Sequence, residues 1–441
     1  MFKRDIYLKR LTSLMHNGRL KIVTGIRRCG KSYLLDVIFR DFLHDQGVDD
    51  SHIVYISFDD ITDPNLLNPL ELNTYLRTLI KDDEMYYFLL DEVQRIYSII
   101  NPIFTEGRIE FCKDMNDERA IGFQHIMNGI RMIKNADVYI TGSNSKFLSK
   151  DILSAFRDRG DEIYVQPLSF KEIVEGEKPA SLDEAFNDYM TYGGMPVVQT
   201  IEDRTAKMKY LSNLFDVTYR VDVEEHNRLA KSNELATLAR IMADNVGSLT
   251  NPNAIENSFN SREKANLTKN TIANYLSYLE EAFILRKVYR FDIKGRNQIG
   301  ANYKYYFTDV GLRNALSGFL RRDSGHVMEN IVFNELVRRG FSVQVGVVNV
   351  FEKNRSGKTV RKTLETDFIA TIGNKIYYIQ SAYALVDDEK IEQERKSLLH
   401  IDDSFKKVII TRDRGSVMRD DKGILYLDII KFLLDEDSLD L

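Results

Sequence analysis

Lys21-Ile22-Val23-Thr24-Gly25-Ile26-Arg27-Arg28-Cys29-Gly30-Lys31-Ser32-Tyr33-Leu34-Leu35 carries the strongest structural signal in the chain. Within it, Gly25 to Ser32 completes a G-x-x-x-x-G-K-[ST] phosphate-binding loop. Gly25 and Gly30 allow backbone conformations that a side chain would block, so successive N–H groups can face phosphate oxygens. Lys31 reaches the β- and γ-phosphates as a point charge, and the Ser32 hydroxyl can sit on Mg²⁺. The nucleotide-binding set is then Gly25, Ile26, Arg27, Arg28, Cys29, Gly30, Lys31, Ser32 and Tyr33. Residues 20–24 read as a buried strand and residues 33–42 have helical periodicity, so the following helix offers its positive N-terminus to the same anion. The competing reading is a strand–turn–helix corner without a ligand. The strand-then-helix context favours the nucleotide site.

The chain has 441 residues, enough for about three domains. A hydrophobic content of 43% and a charged content of 29% are those of a globular protein with ample core. A net charge of −5 argues against a generally cationic, nucleic-acid-coating protein and leaves room for a local basic patch. The two cysteines, Cys29 and Cys112, make no disulfide framework and no metal spacing; Cys29 reads as structural. The N-terminal stretch MFKRDIYLKRL lacks an apolar h-region, and no apolar run reaches membrane-spanning length, so a cytoplasmic protein with no membrane partner is expected. With only 7 prolines, extended linkers are few and packed domains are expected.

Residues 2–17 read as an amphipathic helix, 53–58 as a strand and 66–80 as a helix. Residues 85–90 form a continuous apolar strand that ends in Asp91-Glu92, expected beside the phosphate loop. An acid held at such a strand end can coordinate Mg²⁺, which suits Asp91, and Glu92 is placed to orient or deprotonate an attacking water. Residues 97–122 break the strand–helix rhythm and read as an inserted excursion; helix resumes over 123–133. Residues 137–141 are another buried strand, leading into Gly142-Ser143-Asn144-Ser145. Strand ends in a parallel sheet gather beside the ligand, so Asn144 or Ser143 can sense the γ-phosphate or its water; a plain helix cap is the other reading. Residues 147–156 read as helical, followed by Arg157-Asp158-Arg159 and a strand at 162–165. These arginines suit either a γ-phosphate contact, often made on a neighbouring subunit, or surface ion pairs.

In that order, GIRRCGKSYLL, LLDEVQ, YITGSNS, FRDRG and VQPLSFKEI resemble the AAA+-type P-loop ATPases of bacteria and archaea that carry a C-terminal domain of unknown function. The resemblance spans nearly the whole chain. It implies an α/β fold: a P-loop AAA+-like parallel sheet over 1–170, a helical lid over 171–230, a winged-helix-like domain over 231–305 and a restriction-endonuclease-like α/β domain over 306–441. It implies ATP and Mg²⁺ as cofactors, with Ser32 and Asp91 on the metal and Glu92, Asn144 and Arg159 as catalytic residues. Arg159, rather than Arg157, becomes the arginine-finger candidate, and an oligomer becomes an option. The insertion at 97–122 departs from the usual shorter connection.

In the C-terminal half, the turn Tyr192-Gly193-Gly194-Met195-Pro196 is also seen in the family. Residues 231–305 resemble a winged helix, with 284–291 and 303–307 pairing as the wing. Lys264, Lys269, Lys287, Arg290, Lys294 and Arg296 would then contact DNA phosphates; docking to protein partners is the other use of such a module. Residues 306–441 resemble the restriction-endonuclease-like core. Glu329, Asp367 and Gln380 fall at its metal-site positions, but the lysine position is Ala382, which argues for a fold retained for binding rather than cleavage. The function expected is a Mg²⁺-dependent ATPase switch or motor coupled to a DNA- or protein-binding region. An ATP-gated scaffold, or an ATP-controlled nuclease, is the alternative.

Overall fold

The structure is a computed structural model. It describes the chain except residues 1, 61, 113–116, 143–155, 157–158, 227–228, 230–232, 263–266, 321–322, 354–358, 386 and 413–416. Two compact units divide it, Met1–Gln166 and Pro167–Leu441.

The first unit is built on five parallel strands: β1 (Leu20–Thr24), β2 (Ile53–Ser57), β3 (Tyr86–Asp91), β6 (Ala136–Thr141) and β7 (Gly160–Tyr164), in the order β2-β3-β6-β1-β7. Strands β1, β3 and β6 are buried at every position, which is why they read as largely apolar runs rather than alternations, interrupted only by Lys21 and Asp137 before the polar residue that closes each. The strand order corrects one sequence expectation: β6, not β3, is the neighbour of β1 on that side. Helix Pro69–Leu79, N-capped by the Asn68 side chain, and helix Phe123–Ile130 pack over β3 and β6. Leu72, Leu76, Phe88, Leu90, Ile126 and Met127 join in that core, each such burial stabilising the fold by roughly 1.5–3 kcal/mol.

Lys31–Tyr33, Leu34–Phe39 and Arg40–Asp45 follow β1 as consecutive helical segments, the middle one π-wound. Among the described residues, the excursion at 97–122 contains two short paired strands, β4 (Ile99–Ile100) and β5 (Ala120–Ile121), an isolated bridge from Ile99 to Phe111 and a turn of 3₁₀ helix at Pro102–Phe104. Inside the sheet, Lys21 and Asp137 form a fully buried ion pair, and Asp137 also accepts from the His16 N–H at 3.0 Å and the Tyr139 hydroxyl at 2.9 Å.

The second unit opens with helices Phe170–Glu177, Leu182–Tyr192, Pro196–Gln199 and Arg204–Asn213. The Gly-Gly turn between them has a structural reason. Gly193 sits at φ 71°, and a Cβ on Gly194 would lie 2.0 Å from the Leu168 carbonyl oxygen. The Gly194 N–H donates to the buried Asp309 carboxylate at 2.7 Å, and burial pushes the Asp309 pKa up to about 6.

Helices Asn233–Asp244, Pro252–Arg262 and Lys269–Glu281 pack on one another, the last against strand β8 (Leu285–Asp292). Strand β8 pairs antiparallel with β9 (Asn297–Phe307), the pairing expected between residues 284–291 and 303–307, with Leu285 opposite Phe307 and Val288 opposite Lys304. The hairpin does not stand alone. It forms one edge of an eight-stranded sheet ordered β14-β15-β13-β12-β11-β10-β8-β9. The other members are β10 (Ser342–Lys353), β11 (Thr359–Ile372), β12 (Lys375–Ala382), β13 (Lys406–Thr411), β14 (Met418–Arg419) and β15 (Leu425–Asp428). The boundary expected after residue 305 therefore falls inside β9. Helix Ser324–Arg338 lies against β9, β10, β11 and β12, and helix Asp388–Leu399 against β11, β12 and β13.

Candidate functional site

The C-terminal end of β1 carries the phosphate loop. Gly25 adopts φ 141°, and a Cβ there would lie 2.0 Å from the Val165 carbonyl oxygen, so only glycine fits. Gly30 enters the helix at φ 98° and Arg28 is left-handed at φ 66°. Cys29 is fully buried and donates its thiol to the Val165 carbonyl at 3.4 Å, in line with a structural role. Arg4, itself buried, donates to the Cys29 carbonyl at 3.2 Å and the Gln166 carbonyl at 2.5 Å, bracing the loop from behind. Lys31 is only 4% exposed, and its Nζ turns back over the loop to the carbonyls of Gly25 at 3.0 Å and Ile26 at 3.2 Å. That places the ammonium at the centre of the cradle.

The Ser32 side chain comes close enough to Asp91 to act on its carboxyl, so the structure brings together the two residues expected on the metal. Burial pushes the Asp91 pKa up, while the Thr141 hydrogen bond, the Ser32 side chain and the charge of Lys31 work against that rise. Thr141, at the end of the intervening strand β6, donates to Asp91 and accepts the Glu92 N–H at 3.1 Å. The Tyr55 hydroxyl reaches the other Asp91 oxygen at 3.4 Å. Glu92 is buried and left-handed at φ 56°, and its carboxylate accepts from the Gln94 side-chain amide. A non-glycine residue in that region costs of order 1 kcal/mol or more, and here the Thr141 hydroxyl helps hold it. Gln94 and Thr141 lie within LLDEVQ and YITGSNS without a role assigned to them there, and Tyr55 lies in no quoted stretch; the strand order brings Thr141 and Tyr55 to Asp91.

Ser143, Asn144 and Arg157 lie outside the described residues, as does Lys264. Arg159 is exposed and just precedes β7, where its carbonyl accepts the Leu20 N–H at 2.9 Å. It therefore lies at the end of the sheet opposite the phosphate loop. The five residues of β1 between them span roughly 16 Å. Asp91, Glu92, Lys31 and Ser32 are brought together; Arg159 of the same chain is not among them.

In the second unit, Glu329 from helix Ser324–Arg338 and Asp367 from β11 are buried and adjoin the same cation, the Lys304 ammonium. Lys304 comes from β9, and its Nζ is 2.8 Å from Glu329, 3.0 Å from Glu365 and 3.5 Å from Asp367. A register shift in the β10–β11 ladder opposite Gln344 to Gly346 aims Asp367 into this cluster. The Tyr306 hydroxyl donates to Glu329 at 2.5 Å. Burial first, and then the Glu329 carboxylate, raise the Asp367 pKa to about 8 against the pull of Lys304. Burial opposes the Lys304 charge, yet its neighbours Tyr306, Glu329, Asp367 and Glu365 hold its pKa well above the usual value. Gln380 is drawn elsewhere: its side chain accepts the Asp367 N–H at 3.3 Å and donates to Glu394 at 3.0 Å. Among the described residues, no group of three or more His, Cys, Asp or Glu side chains is placed to hold a metal ion. No helix among them is long and apolar enough to cross a membrane.

Residues 17–174 match the family model for an AAA domain, and residues 183–323 match that of a domain of unknown function, DUF8612. With the parallel sheet and phosphate loop above, this is an AAA+ P-loop ATPase fold followed by an extra α/β domain. The chain belongs to the family of an uncharacterized protein of Haemophilus influenzae, with which it shares 32% identity over 416 residues, 93% of each chain. It is 27% identical to an uncharacterized protein of Methanocaldococcus jannaschii over 98% of this chain and 90% of that one. Among solved structures, it aligns with the Orc1 protein of Aeropyrum pernix in complex with DNA at TM-score 0.32 and 14% identity, over 72% of this chain and 93% of that one. It aligns with Cdc6p of Pyrobaculum aerophilum at TM-score 0.28 and 13% identity, over 72% and 95%.

Proposed function

We propose that this protein binds ATP with Mg²⁺ and hydrolyses it, and that the nucleotide state is coupled to a C-terminal unit that binds DNA or protein. The observation that carries the reading is the meeting of Ser32 with Asp91 beneath a loop whose lysine is already folded to its centre. The residues fit the group: Ser32 and Asp91 offer the metal two oxygens of the hard type that Mg²⁺ prefers, and Gly25 to Ser32 offer the phosphates their N–H donors. Bound there, Mg²⁺ neutralises charge on the phosphate oxygens. Lys31 adds a second positive charge. Glu92 acts as the base that orients or deprotonates water, with Gln94 and Thr141 fixing its direction. Asn144, three residues after β6 in the sequence and outside the described residues, is assigned the role of γ-phosphate sensor.

Lys31→Ala removes the central charge of the cradle and is expected to abolish ATP binding. Titration with a fluorescent ATP analogue checks this; unchanged affinity removes the nucleotide assignment. The position of Arg159 at the far end of its own sheet supports a finger that acts on a neighbouring subunit. Arg159→Ala should bind ATP normally, hydrolyse little by itself and recover activity when mixed with Lys31→Ala subunits. A mixture no more active than its parts makes Arg159 a structural residue. In the C-terminal unit, Lys304 fills the space among the three carboxylates, which supports a fold kept for binding over a metal-dependent nuclease.

A further inference from the structure

One face of the eight-stranded sheet carries an open polar pocket of about 390 Å³, lined among others by Arg290, Asp292, Asn349, Arg361 and Thr363. Asn349 is its hub. The Asn349 side chain accepts from Arg361 Nε at 3.1 Å and from the Thr363 hydroxyl at 3.1 Å, and its amide donates to Asp292 at 3.2 Å. The second Asp292 oxygen accepts the Gly295 N–H at 2.9 Å. The pocket's carboxylate is thus committed to amides, not to the guanidiniums. The Arg290 side chain makes no hydrogen bond or ion pair among the described residues, and its Nε is buried without a partner. A buried charged donor left unpaired is costly, and an anion seated in the pocket would remove that cost. Two guanidinium forks around one opening suit the planar, bidentate recognition of a phosphate.

A second observation extends the pocket. Phe351 lies directly opposite Arg361 in the β10–β11 ladder, two rungs beyond the Asn349–Thr363 pair, so it shares their face, and it is 72% exposed. Cations that hold a phosphate beside an exposed aromatic ring make up the usual platform for an unpaired base. Other cations expected on DNA are engaged elsewhere: Lys287 lies 3.8 Å from the Tyr303 ring centroid and Lys294 is 3.3 Å from Asp402.

We propose that this strip of the sheet binds single-stranded nucleic acid, with a backbone phosphate between Arg290 and Arg361 and a base stacked on Phe351. The proposal deepens the reading of the C-terminal unit as a binding module and does not depend on the ATPase reading, because its test contains no ATP. The test is fluorescence anisotropy of the full chain with labelled oligothymidylate and oligouridylate strands and a matched duplex, over a salt series. Arg290→Gln and Arg361→Gln should each weaken single-strand binding about tenfold and lower the salt slope by about one. Phe351→Ala, at an exposed position that leaves folding intact, should weaken it about tenfold with the slope unchanged. Lys422→Gln, an exposed cation outside the pocket, should match the parent. Three results overturn the proposal: no binding of either strand by the parent, preference for the duplex, or all three pocket variants equal to the parent. Displacement of bound strand by inorganic phosphate is expected from the parent. Phosphate bound through Arg290 without any strand binding makes the pocket a free-anion site and also overturns it.

Discussion

Glu92→Gln is expected to bind ATP as tightly as the parent and to hydrolyse it some 10²- to 10⁴-fold more slowly, the usual worth of a positioned general base. The substitution keeps the shape of the side chain. Its amide oxygen can still accept from Gln94, and its N–H still donates to Thr141, so the left-handed turn at the end of β3 has no reason to move. Lys31, Gly25 and Ser32 are untouched, which is why binding should survive. What disappears is the carboxylate proposed to take a proton from water. Analogue binding and steady-state phosphate release, measured on one preparation, separate the two effects. Equal turnover in the variant would place the base on another residue. Asp91 is the less suitable choice, since both of its oxygens are already engaged by Thr141 and Tyr55 and it also meets Ser32.

Lys304→Met should destabilise the C-terminal unit by about 3–5 kcal/mol at neutral pH, because it leaves buried carboxylates without their cation. The loss has a pH signature that a simple cavity would lack. A carboxyl whose folded pKa is raised holds a proton that the unfolded chain gives up. Its stabilising contribution is therefore full below the ordinary carboxylate range and fades as pH climbs to about 8, the value reached by Asp367. Removing the ammonium, whose charge pulls the Asp367 pKa down, raises that pKa further. Protons then replace the lost charge on acidification, and the gap between parent and variant should narrow from about pH 8 to about pH 5. Urea unfolding followed by far-ultraviolet circular dichroism at the two pH values measures this. A gap independent of pH would mean that Lys304 matters for packing alone.

What could be read from the sequence was local. The phosphate loop is a run of eight residues whose glycines, lysine and serine each answer a separate steric or electrostatic demand, so its spacing alone identifies it. Buried parallel strands show as continuous apolar runs, and the acids at the end of β3 fall where the run stops. The amphipathic helices follow from periodicity in the same way, whereas the β8–β9 pairing and the place of Glu329 were implied by the family resemblance.

Tertiary structure decided everything that depends on which strand lies beside which. By inserting β6 between β1 and β3, the sheet order makes Thr141 the bridge between Asp91 and Glu92, although threonine at a strand end is unremarked in sequence. Parallel register set Arg159 at the far end of its own sheet from the phosphate loop. Most telling is the lysine. The motif position holds Ala382, and a pattern read along the chain finds a loss there. The fold instead brings Lys304 from β9, on an edge hairpin that sequence assigns to a different domain, into the same acid cluster. Charge complementarity acts through space at about 3 Å and is indifferent to which strand delivers the ammonium, so a sequence pattern cannot see it and a sheet order can.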